Sequence, residues 1–168
     1  MSTLNHRDIA HAAEIIRNTK LSNHTIYTIG NGGSASTAAH ICNDLTKKDI
    51  NAICLSSNIS TITAIGNDMS FDNIFSFQVE SFMKKGDVLI AFSTSGESKN
   101  ILKALESARK KHLQTISITG FDGGNAKLIS DYNINVKSDN IQIIEDIHLC
   151  ISHILACKAK TLLTGGKN

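Results

Sequence analysis

Apolar and polar residues along this chain follow two spacings, and the switches between them mark out its elements. Ile9, Ala12, Ala13, Ile16 and Thr19 recur at helical spacing, which predicts a helix over 5–20. Thr25-Ile-Tyr-Thr-Ile29 is a β-branched strand, and a turn rich in Gly, Asn and Ser leads from it into a helix over 34–46. Residues 51–55 read as a second strand, followed by helical segments near 59–66 and 71–84, the latter broken by Gly86. The apolar run over 87–92 predicts a strand buried on both faces. A second polar turn, Ser93-Thr-Ser-Gly-Glu-Ser98, precedes a strongly amphipathic helix over 99–111. A strand over 115–119, a loop over 120–124, a short helix and a strand over 132–136 come next. The chain closes with a helix over 141–162, ended by Gly165 and Gly166. Strands alternating with helices throughout predict one α/β domain over 1–168, a three-layer, doubly wound parallel sheet with an added N-terminal helix.

Composition narrows the class. A hydrophobic content of 41% is enough for a packed core, while a formal charge of +2, with scattered lysines, argues against a nucleic-acid surface. The basic clusters Lys84-Lys85 and Arg109-Lys110-Lys111 read as caps at helix C-termini. No apolar run approaches the ~18 residues of a membrane span, and the N-terminus lacks the apolar core of a signal peptide, so a cytoplasmic protein without a membrane partner is expected. Four cysteines, Cys42, Cys54, Cys150 and Cys157, show no CxxC pairing and are expected as buried thiols acting as small hydrophobes. The complete lack of proline reads as compositional bias.

Both polar turns follow strands, and ligands of parallel sheets bind outside the carboxyl ends of strands. The turn over 30–36 aims backbone N–H groups, hydroxyls and a helix start at one point, a setting that suits a phosphate. The second turn adds the hydroxyls of Ser93, Thr94, Ser95 and Ser98. Either turn alone is explained by turn and cap chemistry; two at matching strand ends favour a ligand. The Gly-Lys-Ser/Thr ending of a P-loop and the GxGxxG pattern are both missing, so a dinucleotide is not expected. His40 and Asp44, four residues apart on one helix, face the same way and can share an ion. Glu145 and His153 lie about 80° apart around the closing helix and can face a common partner across two turns. Two imidazoles and two carboxylates are the donor types of a zinc set, although no spacing rule brings residue 44 to residue 145, and Cys150, His153 and Cys157 offer an alternative thiolate set. His6, His11, His24 and His112 are ordinary surface or core residues, and His148 faces a different side from His153 in a supporting role. Asn67 and Asp68 by themselves read as an Asx turn.

Gly30-Asn-Gly-Gly-Ser34, Gly66-Asn-Asp68, Ser93-Thr-Ser-Gly-Glu-Ser98, Thr119-Gly-Phe-Asp-Gly-Gly124 and Glu145-Asp-Ile-His-Leu149 with His153 occur in this order. In order and spacing they resemble the sugar isomerase (SIS) domain family, and within it the phosphoheptose isomerases, over nearly the whole chain. The resemblance implies a flavodoxin-like SIS fold and a Zn2+ ion held by His40, Asp44, Glu145 and His153. It makes Asp44 the general base, where the family has the longer glutamate, and His153 the general acid. Glu145 stands where many members have glutamine, and Gln142 where some have aspartate, so Glu145 shares the proton work or tightens the metal. Asn31, Gly32, Gly33, Ser34, Ser93, Thr94, Ser95 and Ser98 would hold the phosphate end of the substrate. The resemblance makes Asn67 and Asp68, and more weakly Ser56, candidates for holding its hydroxyls. The implied reaction converts sedoheptulose 7-phosphate to D-glycero-D-manno-heptose 7-phosphate for the heptose of surface lipopolysaccharide or capsule. A homotetramer with sites at subunit interfaces is also implied, and the apolar stripes of helix 5–20 and the closing helix are expected against other copies. Two other readings compete: a non-catalytic SIS protein that binds a partner, such as a replication-initiation factor, or senses a sugar phosphate; and an isomerase of another phosphosugar. Non-catalytic relatives tend to lose the carboxylate and the final histidine, whereas this chain keeps acidic or basic residues at all four positions.

Overall fold

In the structure, a computed structural model that describes residues 5–166, every position of the apolar run is buried, as a strand covered on both faces requires. This strand, β3 (Val88–Ser93), lies at the centre of a five-stranded sheet with β1 (Ile26–Ile29), β2 (Ala52–Cys54), β4 (Gln114–Thr119) and β5 (Tyr132–Asn135). The order is β2-β1-β3-β4-β5 and all pairs are parallel, the doubly wound arrangement expected. Alternate side chains of β3 go to opposite layers. Val88, Ile90 and Phe92 join the core under α1 (His6–Leu21), α2 (Gly33–Thr46) and α7 (Ile141–Thr164). Leu89 and Ala91 join the core under α3 (Ile59–Asp68), α4 (Ser76–Phe82), α5 (Lys99–Lys110) and α6 (Gly124–Ile129).

Asparagine does much of the local work. Asn5, Asn58 and Asn140 cap α1, α3 and α7, each side chain accepting a backbone N–H from the first turn. At the far end of α7, Gly165 takes the left-handed conformation that stops the helix.

Four expectations are corrected. The segment 71–84 is not one helix: a 3-10 turn at Phe71–Asn73 precedes α4. The turn packs on α3 and α5, where Lys103 donates to Asn73 Oδ1 at 3.1 Å, while Phe75 and Val79 enter the core, so the chain is re-aimed between them. The apolar stripe of α1 is spent inside the chain, with Ile9, Ala12, Ala13 and Ile16 buried in the core shared with α7, rather than on another copy. Cys150 and Cys157 are exposed on the outer face of α7, and only Cys42 and Cys54 are half-buried, burial pushing the Cys42 thiol up to about 11. Arg109 and Lys110 do lie in the last turn of α5, but Lys84 and Lys85 fall beyond the end of α4; its carbonyls of Val79 and Glu80 are met instead by Lys111 Nζ at 3.3 and 2.7 Å. Among the described residues no helix is long and apolar enough to cross a membrane.

His148 is 1% exposed on the inner face of α7, with its ring 6.2 Å from that of Phe92 and no hydrogen-bond partner on either nitrogen. Burial pushes its pKa down from 6.5 to about 4; the Thr119 backbone pulls the other way but makes no hydrogen bond of acceptable geometry. Between those two values the unfolded chain binds a proton that the folded chain does not, so stability falls as pH drops through that window. Above it both states are neutral, and below it the slope disappears. Urea unfolding followed from neutral pH down to about pH 4 should show this decline, and His148→Leu should remove a share of it worth up to about 3 kcal/mol. An unchanged decline in the variant would place the acid sensitivity elsewhere.

Candidate functional site

From β1 the chain winds to β2 on one side, and from β3 to β4 on the other, so a crevice opens between the turns that follow β1 and β3. The register pairs Ile29 with Ala91, which brings the two turns out side by side. They start α2 and α5, and both helices differ from α1, α3 and α7 in having no side-chain cap. Gly32 makes this possible at α2, with φ of 52° and ψ of −124°, a backbone shape that a side chain would strain. Two helix starts thus keep first-turn N–H groups uncapped beside each other.

Hydroxyls surround these groups. Ser34 and Ser93 are buried, and Thr94, Ser95 and Ser98 are half-buried. Ser93 Oγ accepts the Gly96 N–H and Ser95 Oγ accepts that of Glu97, both at 3.1 Å, so these two shape their own turn while keeping a hydrogen to donate. The other candidates are engaged within the chain. Ser56 bonds both backbone groups of Gly30, accepting its N–H at 3.2 Å and donating to its carbonyl at 2.9 Å. It holds the first turn in place and has its one hydrogen committed there. Asn67 donates to Asp68 at 2.8 Å in the exposed last turn of α3, which replaces the expected Asx turn. Two residues escaped the sequence reading. Asn100 meets Asn31 across the crevice, and Glu97 binds Asn125 of α6 through its backbone N–H at 2.7 Å and its side chain at 2.8 Å. Asn is a poor helix former, so Asn100 in the first turn of α5 carried a weak signal; nothing local announced Glu97.

His40, Asp44 and His153 come together where α2 and α7 lie against each other. The two Nε2 atoms are 2.8 Å apart, and Asp44 Oδ2 lies 3.6 Å from His40 Nε2 and 3.8 Å from His153 Nε2. Ligand atoms of a tetrahedral zinc with bonds of ~2.0–2.1 Å lie about 3.3 Å from one another, so this spacing and donor chemistry fit such an ion. The side chains of the two histidines are 44% and 48% exposed and that of Asp44 is 18% exposed, so the cluster opens outward. Glu145 is not in this group. Its carboxylate rests against Gly33 at the start of α2. Eight residues of helix set Glu145 about 12 Å before His153 along α7, more than two turns from the cluster. Cys150 and Cys157 join no metal-binding group among the described residues.

The sequence model of the SIS domain family matches residues 1–120. A probable phosphoheptose isomerase of Thermoplasma acidophilum is 40% identical over 158 residues, covering 90% of this chain and 87% of that one. The phosphoheptose isomerase of Helicobacter pylori is 45% identical over 136 residues, 77% of this chain and 71% of its own. Among solved structures, the phosphoheptose isomerase GmhA from Neisseria gonorrhoeae matches with a TM-score of 0.91 at 33% identity, covering 93% of this chain and 86% of that one. The Vibrio vulnificus NanR protein complexed with ManNAc-6P, at 16% identity and a TM-score of 0.76, shares the fold alone. With a common sheet order, paired serine turns and this identity over most of its length, the chain belongs to the SIS domain family, and within it stands with the phosphoheptose isomerases.

Proposed function

We propose that the protein is an aldose–ketose isomerase that converts sedoheptulose 7-phosphate to D-glycero-D-manno-heptose 7-phosphate, in the cytoplasm, for the heptose of lipopolysaccharide or capsule. One observation carries the reading: α2 begins in a hydroxyl-lined anion cradle and carries, further along, the His40–Asp44–His153 cluster. The phosphate binds Ser34, Ser93, Thr94, Ser95 and Ser98 with the uncapped N–H groups of α2 and α5. As a non-reacting group it supplies orientation for the carbons that react.

Isomerisation needs a base for the proton next to the carbonyl and a proton carrier between the two oxygens. The base is a carboxylate. Asp44 stands in the metal cluster and Glu145 stands at the cradle; Asp44 is the assignment that relatives with glutamate there support. Its removal of the C–H proton gives an enediol, and His153 exchanges protons with the oxygens. An imidazole whose Nε2 holds an ion keeps only Nδ1 for that task. Zinc bound by His40, Asp44 and His153 would supply Lewis-acid polarisation of the carbonyl and stabilise the developing charge.

The reading includes a homotetramer with sites between subunits. At 1.5 Å per residue, His40 lies about 10 Å and Asp44 about 16 Å along α2 from Gly33. The cluster faces outward, next to Ile154, which is 44% exposed. This separation and the outward-facing cluster support a site completed by a neighbouring copy. Light scattering should give the mass of four chains, and a fully active monomer would refute this part.

Incubation with sedoheptulose 7-phosphate in deuterated water should place deuterium at C2 of an aldoheptose phosphate, and chelation should abolish product until zinc is returned. No product with any metal would favour the sugar-phosphate-binding reading. Asp44→Asn and His153→Ala should each lower kcat by about 10²- to 10⁴-fold in the zinc-loaded protein. Wild-type turnover in Asp44→Asn, with turnover lost in Glu145→Gln, would transfer the base to Glu145.

A further inference from the structure

Two side chains in the crevice are paired with each other: Asn31, expected at the phosphate, and Asn100, which the sequence did not single out. Asn31 Nδ2 donates to Asn100 Oδ1 at 2.9 Å, and Asn100 Nδ2 donates back to Asn31 Oδ1 at 2.9 Å. Asn100 is 2% exposed and its Oδ1 also accepts the N–H of Ile101 at 2.9 Å. The amide is thereby locked to the first turn of α5. Asn31 is tied just as closely to α2, since its carbonyl accepts the N–H of Ala35 at 3.2 Å. The pair joins one helix start to the other across the gap in which the phosphate is to sit. On its far side, the first turn is held by Ser56 through both backbone groups of Gly30.

We propose that the Asn31–Asn100 amide pair is a positioning device that sets the spacing between the two halves of the phosphate cradle. The proposal rests on the reading of the two turns as a phosphate site. The cradle contains no Lys or Arg in either turn, so its affinity comes from neutral donors whose strength depends steeply on distance and angle. Neutral donors on two separate helices act together only when their separation is fixed before the anion arrives. Of the side chains of the two turns, Asn31 and Asn100 are the ones hydrogen-bonded directly between α2's start and α5's start. Asn100 is too buried to touch a ligand, so an effect of its loss on anion affinity must pass through Asn31 and the turn.

A double-mutant cycle tests this. Inorganic phosphate is titrated into wild type by calorimetry and used as a competitive inhibitor, beside KM and kcat for sedoheptulose 7-phosphate and thermal unfolding. Asn31→Ala and Asn100→Ala should each raise the phosphate constant and KM by about tenfold. The double variant should be less than about twofold worse than either single, because the same link is broken once. kcat should change less than about threefold, since the His40–Asp44–His153 cluster lies further along α2. Asn100→Leu is close in shape, adds no charge and removes both bonds of the pair; it should show the same direction of effect and decides the matter if Asn100→Ala does not fold. An effect from Asn31→Ala with none from the Asn100 variants would make Asn31 a direct ligand and overturn the proposal. Independent, additive losses would overturn it too, as would equal losses in KM and kcat. Absence of phosphate and sugar-phosphate affinity in wild type would instead refute the phosphate site, and the device with it.

Discussion

The parallel pairing of β1 with β3 is the contact on which the rest of this molecule depends. It holds two strands in register although the chain between them makes β2, α3 and α4. Because both strands point the same way, each hands its chain to a helix at the same edge of the sheet. The hydrophobic burial of β3 on both faces makes that register costly to slip, since a one-residue shift would turn Leu89 and Ala91 into the layer built for Ile90 and Phe92. The strength of the core thus becomes the precision of a polar crevice.

That crevice works with weak parts. As the phosphate site proposed above, it would use uncapped N–H groups and hydroxyls where many anion sites use cations, and none of them alone supplies much. What makes such a set effective is a rigid surround, and the surround is visible in separate braces: Ser56 on Gly30, Asn100 on Asn31, and Glu97 reaching to the start of α6. Gly96 belongs to the same system, its carbonyl receiving the Ala126 N–H at 2.9 Å and its missing side chain admitting the Gly123 carbonyl. The second turn is therefore supported by α6, as the first is by Ser56 in the turn after β2.

The layout was legible in the sequence because its signals are local. β3 shows as an apolar run, the two turns as Gly- and Ser-rich breaks, and α5 as a clean amphipathic pattern. Spacing on one helix also brought out His40 with Asp44. Distance in sequence hid the remainder. Asn31 and Asn100 look like ordinary turn and helix residues until the sheet order sets them face to face. The stripe on α1 announces that it will be buried and is silent about what buries it. Helical spacing shows which residues share a face and understates how far apart they are along it, which is why Glu145 reads as a partner of His153 and rests instead at Gly33. The motif resemblance supplied what periodicity lacked, since the pairing of α2 with α7 cannot be read from either helix alone.

Gly33 has one more consequence, and it concerns how such a site can change over generations. A methyl group there would lie 2.5 Å from Glu145 Oε1, yet the obstructing atoms are the tip of a flexible side chain that can swing away at little cost in stability. Mutation at position 33 would therefore pass any filter that acts on folding alone while driving a carboxylate out of the crevice. The resting place of Glu145 is guarded by a hydrogen atom on a different helix, and the two positions are free to drift only as a pair.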